Sequence, residues 1–238
     1  MSWFMCDLVE SMPVASFKLI VVSILVLGYL VSLSEHQPIN KDQCKTHHGI
    51  LCVRDELKNI MNEARKIVRK TVIIEEYIKD TIIIDKLYQT VAMEVNETQS
   101  SQPSSEWHVH FLAQPNIDKK SLIKLLWEAH NAMLHLANSI DEVHSPKDAH
   151  AKASDSILDE IQKELKYEMV CRYRNILNVY VEQLEPVFES KDRIEFSWIS
   201  GASRSVVHDV RSLVMVVYIR KWMKLVDDVV EQLGRKLN

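Results

Sequence analysis

The chain has 238 residues, 47% hydrophobic and 26% charged, a balance typical of folded rather than disordered proteins. Only 4 glycines and 6 prolines occur, too few for the turns of a β-sandwich or barrel. With 29 basic and 33 acidic residues the net charge is −4, which gives no support for a nucleic-acid partner.

Residues 17–33, FKLIVVSILVLGYLVSL, form an apolar run with Lys18 at its leading edge. Its core, residues 19–31, has the length of a signal-peptide hydrophobic region and is short for a bilayer span. Ser32 and Ser34 follow in a pattern that signal peptidase cuts, and SEHQPINKDQ then carries no basic stop-transfer cluster. These features predict a secretory signal over residues 1–34, cleaved near Ser34. An uncleaved anchor is the alternative, favoured by the long leading stretch with Asp7 and Glu10. In both cases the rest of the chain faces an oxidising extracellular space. Residues 35–52 read as an N-terminal segment and residues 53–238 as the folded domain.

Three cysteines follow the signal, Cys44, Cys52 and Cys171. An odd number predicts one bridge and one thiol left over, free or linking two copies. Asn96-Glu97-Thr98 is an N-glycosylation sequon that opens the polar stretch NETQSSQPSSE, where a loop glycan would sit.

The first helical pattern starts near Val53. Leu57, Ile60, Ala64, Ile67, Thr71, Ile74 and Ile78 recur at spacings of three and four. The β-branched run at residues 81–85, TIIID, predicts a kink or a second short helix ending before Asn96. A polar connection covers residues 96–116. The second pattern starts at Asp118 or Ser121, with Leu122, Leu126, Ala129, Met133, Leu136, Ile140 and Val143 in one stripe, and stops at Ser145-Pro146. The third runs from about Asp148 or Ser154 to Leu184, with Ile161, Leu165, Met169, Tyr173, Leu177, Tyr180 and Leu184 on one face. Cys171 falls on the opposite, polar face, which suits a bridge partner. A bond from Cys44 or Cys52 to Cys171 is favoured; a short Cys44–Cys52 loop is the alternative. The fourth pattern runs from near Ser203 almost to the end, with Val207, Val210, Val214, Val217, Trp222, Leu225, Val229 and Leu233 facing inward. Its middle, residues 213–219, is apolar nearly all round, as in a helix buried between neighbours.

Four helices of about 25–35 residues, roughly 40–50 Å each, are thus expected. Their connections are long, short and long. A short link joins antiparallel neighbours, whereas a link of about 20 residues lets the next helix start from the same end. That sequence predicts an all-α, up-up-down-down four-helix bundle with two long crossover loops, the architecture of growth hormones and cytokines.

Two local stretches resemble one family of that architecture. Phe188-Glu189-Ser190-Lys191 resembles the Phe-x-x-Lys motif of the leukaemia inhibitory factor and ciliary neurotrophic factor branch of the interleukin-6 family. Residues 203–211, SRSVVHDVR, resemble an Arg-Ser-Ile-His-Asp-Leu-Arg stretch of the same branch with one inserted residue, and Trp198 precedes them as a tryptophan does there. The last helix continues, strongly apolar, beyond that stretch, and the cysteines do not match the vertebrate patterns. A divergent relative, similar to the invertebrate unpaired-type cytokines, fits equally.

The resemblance implies a secreted ligand that bridges cell-surface cytokine-receptor chains and triggers JAK/STAT-type signalling. It implies receptor contacts at Phe188, Lys191, Arg204 and Arg211. An aromatic anchor beside a lysine is the kind of pair in which interface energy concentrates. The alternatives are that Phe188 plugs the end of the bundle, and that both arginines lie on a solvated face.

No metal, cofactor or enzymatic activity is expected. His47, His48, His108, His110, His130 and His135 form no four-ligand set at regular spacing, and no phosphate loop or nucleophile elbow occurs. Trp107, Phe111 and Trp198 are expected to pack the crossovers onto the bundle. A helical lipid carrier or structural protein, with the apolar last helix lining its cargo, is the competing function.

Overall fold

The computed structural model describes residues 44, 51–79, 84–114, 117–144, 153–181, 192–196 and 203–236. Every regular element among them is helical. The apolar run at 17–33, and with it the expected signal, lies outside the described residues. No helix among those described is long and apolar enough to cross a membrane.

Helix α1 (Val53–Lys79) buries Leu57, Ile60, Ala64, Ile67, Thr71, Ile74 and Ile78, the stripe its spacing predicts. The run at residues 81–85, where the interruption is expected, lies outside the described residues as far as residue 83. Helix α2 (Ile84–Glu97) follows and reaches one residue past Asn96.

The polar connection at 96–116 is more ordered than its composition suggests. A 3-10 turn (Thr98–Ser101) continues α2, and a short helix, α3 (Glu106–Ala113), buries His108 and Phe111. Two turns are too few to reveal an apolar stripe in sequence. Helix α3 is held from outside. The Glu128 carboxylate accepts the backbone N–H groups of Trp107 at 3.1 Å and His108 at 3.0 Å, and the His108 ring at 2.7 Å. A carboxylate there satisfies first-turn donors and sits at the positive end of the helix dipole.

Helix α4 (Lys119–Val143) starts on Asp118, whose carboxylate accepts Ser121 N–H at 2.7 Å. The third long helix, residues 153–180, comprises α5 (Ala153–Lys163), a π-helical segment (Glu164–Val170) and α6 (Cys171–Tyr180). The π segment has a sequence cause. Ile161, Leu165, Met169, Tyr173 and Leu177 are spaced strictly by four, which drifts by about 40° per step in an α-helix. The wider π turns take up that drift, and all five side chains are buried.

Cys171 departs from expectation. It is buried, not on an open polar face, because Cys44 covers it through a disulfide. The bridge joins the N-terminal segment to the middle of the third helix. Cys52 is exposed and free.

Helix α7 (Arg204–Lys236) buries Val210, Val214, Trp222, Val229 and Leu233 as expected, and also Leu213, Met215, Val216, Tyr218 and Ile219. Val217, expected inside, is 40% exposed because it shares the face of Lys221 and Lys224. Helix α1 packs along α7 and the third helix, α4 packs along the third helix and α7, and α2 and α3 lie on α7.

Cross-helix polar pairs mark these contacts. Arg65 meets Asp227 at 2.8 Å and Arg220 meets Glu75 at 2.8 Å. Glu56 meets Arg172 at 2.8 Å, and Lys70 meets Glu164 at 2.8 Å and Glu160 at 2.6 Å. Asp141 meets Gln162 at 2.6 Å and Lys166 at 3.5 Å. The segment at 192–196 is pinned by buried Ile194, whose N–H donates to Ser139 Oγ at 2.8 Å, and by Glu195 N–H on Ser101 Oγ at 3.2 Å.

Two predictions follow from this packing. Cys44→Ser or Cys171→Ser is expected to lower unfolding free energy by about 3 kcal/mol in chemical denaturation, because it frees a long loop, whereas Cys52→Ser leaves it unchanged. Burial pushes the Glu128 carboxyl up, but the bonds from His108 and the α3 backbone outweigh it and hold it below its usual 4.5. Its contribution is therefore complete above about pH 4.5 and is lost as pH falls through the lower folded value. The stability gap between the native chain and Glu128→Gln should narrow on acidification below that point; a constant gap would contradict the assignment.

Candidate functional site

Several elements converge where α7 begins. Helix α4 ends there with His144, α5 starts there with Ser154, Asp155 and Asp159, and α7 brings Arg204, His208, Asp209, Arg211 and Ser212. Local sequence places the charges sensibly. Asp155 lies in the first turn of α5, the positive end of its dipole, and His144 caps the negative end of α4.

At the centre is the Asp155 carboxylate. His208 Nε2 lies 2.8 Å from its Oδ1, and His144 Nδ1 lies 4.0 Å from the same oxygen. Each imidazole turns its other nitrogen toward a second carboxylate. His144 Nε2 is 3.1 Å from Asp159 Oδ1, and His208 Nδ1 is 3.6 Å from Asp209 Oδ1. Side-chain exposure is 24% for His144, 17% for Asp155 and 10% for His208. His144, Asp155 and His208 each present one donor atom within 4.8 Å of the others. They are the residues here that could hold a metal ion.

Buried polar atoms lacking a hydrogen-bond partner gather at this corner: His144 Nε2, Ser154 Oγ, His208 Nδ1, Arg211 Nε and Ser212 Oγ. Asp159 is near His144 Nε2 but off its N–H direction, which reconciles the short distance with the absent bond. The Arg211 guanidinium lies 5.2 Å above the Phe196 ring, a cation–π contact between α7 and the preceding crossover.

Of the residues expected to bind a receptor, Phe188 and Lys191 lie outside the described residues, as does Trp198. Arg204 is exposed at the start of α7, and Arg211 is half-buried against Phe196. Of the histidines singled out in sequence, those among the described residues are not part of the cluster. His108 is bound to Glu128. His130 and His135 are buried within α4, where burial pushes their imidazoles below the usual range. His47 and His48 lie outside the described residues. The cluster that does form draws on three helices and is invisible to motif spacing; the signals available were a histidine beside a helix-stopping Ser-Pro and the His208-Asp209 pair.

Asn96 is exposed on the last turn of α2 rather than in an open loop. Thr98, which completes the sequon, has a separate structural duty. Its buried hydroxyl lies 2.7 Å from both Glu94 O and Tyr218 Oη. Tyr218 Oη lies 2.8 Å from Val95 O and accepts Gln102 Nε2–H at 3.1 Å.

Comparison with family models, curated proteins and solved structures returns no match for this chain.

The Thr98 network generates a test. Tyr218→Phe removes one hydroxyl from a buried cluster and should cost about 1–2 kcal/mol of unfolding free energy while leaving any glycan at Asn96 in place. Thr98→Ser should keep both glycan and stability, and Thr98→Val should lose both, as read by electrophoretic mobility and chemical denaturation.

Proposed function

We propose that this chain is a secreted cytokine-like ligand that binds and bridges cell-surface receptor chains to trigger JAK/STAT-type signalling. The observation that carries the proposal is the register of the cross-helix pairs. Along α1, residues 65 and 75 meet residues 227 and 220, so numbering runs oppositely on α7. Residues 56 and 70 meet 172 and 164, so it runs oppositely on the third helix. On α4, residues 141 and 144 meet 162 and 159, again in reverse. These pairs support a reading in which helices α1 and α4 point one way and the third helix and α7 the other. With a short link only between α4 and α5, that arrangement supports reading the chain in the up-up-down-down order of helical cytokines.

Such a ligand works by presenting separate faces to separate receptors. Ile73 and Tyr77 on α1 are 51% and 41% exposed, and Tyr167 on the third helix is 46% exposed. Large apolar groups on open faces are suited to anchoring one receptor module. The end where α7 begins, with Arg204 exposed and the Phe188–Lys191 motif just before it in sequence, suits a second. Bringing two receptor chains together would activate their associated kinases. The carrier reading drew on the apolar last helix as a surface facing cargo; the covering of α7 by α1, α2, α3 and α4 favours the ligand reading over it.

The test is STAT tyrosine phosphorylation in cells of the source organism exposed to the secreted protein. A response is expected, and it should fall strongly for Phe188→Ala/Lys191→Ala and for Ile73→Glu/Tyr77→Glu. A response kept by the first variant discards that contact. No response to folded protein across receptor-bearing cell types rejects the ligand reading.

A further inference from the structure

We propose that His144, Asp155 and His208 form a zinc-binding site that fastens the end of α4 to the starts of α5 and α7. The inference goes beyond receptor binding and does not depend on it.

The donor set is the first argument. Two imidazoles and one carboxylate suit Zn²⁺, whereas Ca²⁺ and Mg²⁺ take oxygen ligands. Around a tetrahedral ion with bonds of about 2.0–2.1 Å, ligand atoms stand roughly 3.3 Å apart. The distances from Asp155 Oδ1, 2.8 Å to His208 Nε2 and 4.0 Å to His144 Nδ1, bracket that value. All three donor atoms lie within 4.8 Å of one another, so side-chain shifts on the order of an ångström bring them onto one ion, with water completing four-coordination.

The surroundings are the second argument. A zinc-bound histidine nearly always turns its remaining ring nitrogen to a carboxylate, carbonyl or water. Both histidines here have a carboxylate close enough to take that role once the ring turns onto an ion, Asp159 at 3.1 Å from His144 Nε2 and Asp209 at 3.6 Å from His208 Nδ1. Neither nitrogen has an aligned hydrogen bond, although both atoms are buried and the His208 side chain is only 10% exposed. A buried imidazole without an aligned bond is costly. Coordination of Nδ1 of His144 and Nε2 of His208 would fix each tautomer, so that the other nitrogen carries its proton toward Asp159 or Asp209. Three carboxylates gathered at this corner also favour a dication.

The test titrates Zn²⁺ into the purified full chain, stripped with EDTA, by calorimetry. Co²⁺ is used as a spectroscopic probe, and Tm is measured with and without Zn²⁺. One ion per chain is expected, with a four-coordinate cobalt absorption band and a raised Tm. His144→Gln/His208→Gln should weaken binding by more than about 100-fold and abolish the Tm rise, and Asp159→Asn/Asp209→Asn should weaken it by about 10–100-fold. His110→Gln, an exposed control, should change nothing. If circular dichroism shows the double histidine variant unfolded, Asp155→Asn replaces it with the same expectation. Absence of zinc binding, or binding unchanged in these variants, overturns the proposal.

Discussion

Between Leu213 and Ile219, α7 carries apolar side chains around most of its circumference, so it cannot turn a broad face to water. The rest of the molecule is arranged around that constraint. Helix α1 covers one side with Ile60, Ile67, Ile74 and Ile78, while α2 and α3 cover another and α4 contributes a further contact. Each large aliphatic side chain removed from water contributes about 1.5–3 kcal/mol, so burial drives association. It does not choose a register, because isoleucine and valine ridges can slide past one another.

Polar groups at the helix interfaces supply the choice. Thr71 is buried, donates to Val68 O at 2.7 Å and accepts Arg220 Nε–H at 3.3 Å, while Arg220 also reaches Glu75. Burial alone would lower the Lys70 ammonium, but Glu160 and Glu164 together hold it above its usual value. Exposed pairs of this kind contribute about 0–1 kcal/mol each, too little to account for stability. A slip of one turn would take Lys70 from Glu164 and Arg220 from Thr71, and would leave the buried Tyr218 hydroxyl without Thr98 and Val95, at about 1–3 kcal/mol for a group left buried and unpaired. That penalty favours one register of the helices over a slipped one.

The long amphipathic stripes were readable because each helix has one wet face. All seven core positions read on α1 are buried, and α4 starts where Asp118 can cap it. What stayed hidden depends on partners distant in sequence. Helix α3 exists because Glu128, from another helix, caps it. The inward turn of Cys171 depends on Cys44 lying over it and on a π segment that resets the helix phase. Val217 looked interior because the stripe was extended through a half of α7 that is open on one side. The His144–Asp155–His208 corner needs three chain segments to meet, which no local period encodes. Phe188 and Lys191 were singled out by resemblance, and the described residues neither place nor displace them.

A long helix buried by its neighbours, a disulfide at Cys44–Cys171, and open apolar groups on α1 and the third helix are the features on which the proposed ligand function rests. The direct measurement is cross-linking of the purified, labelled protein to live cells, followed by identification of the captured surface chains. Saturable labelling of two different receptor chains, displaced by unlabelled protein, is the result this account predicts. Uptake into membranes without saturation, or capture of no surface chain by folded protein, would contradict it.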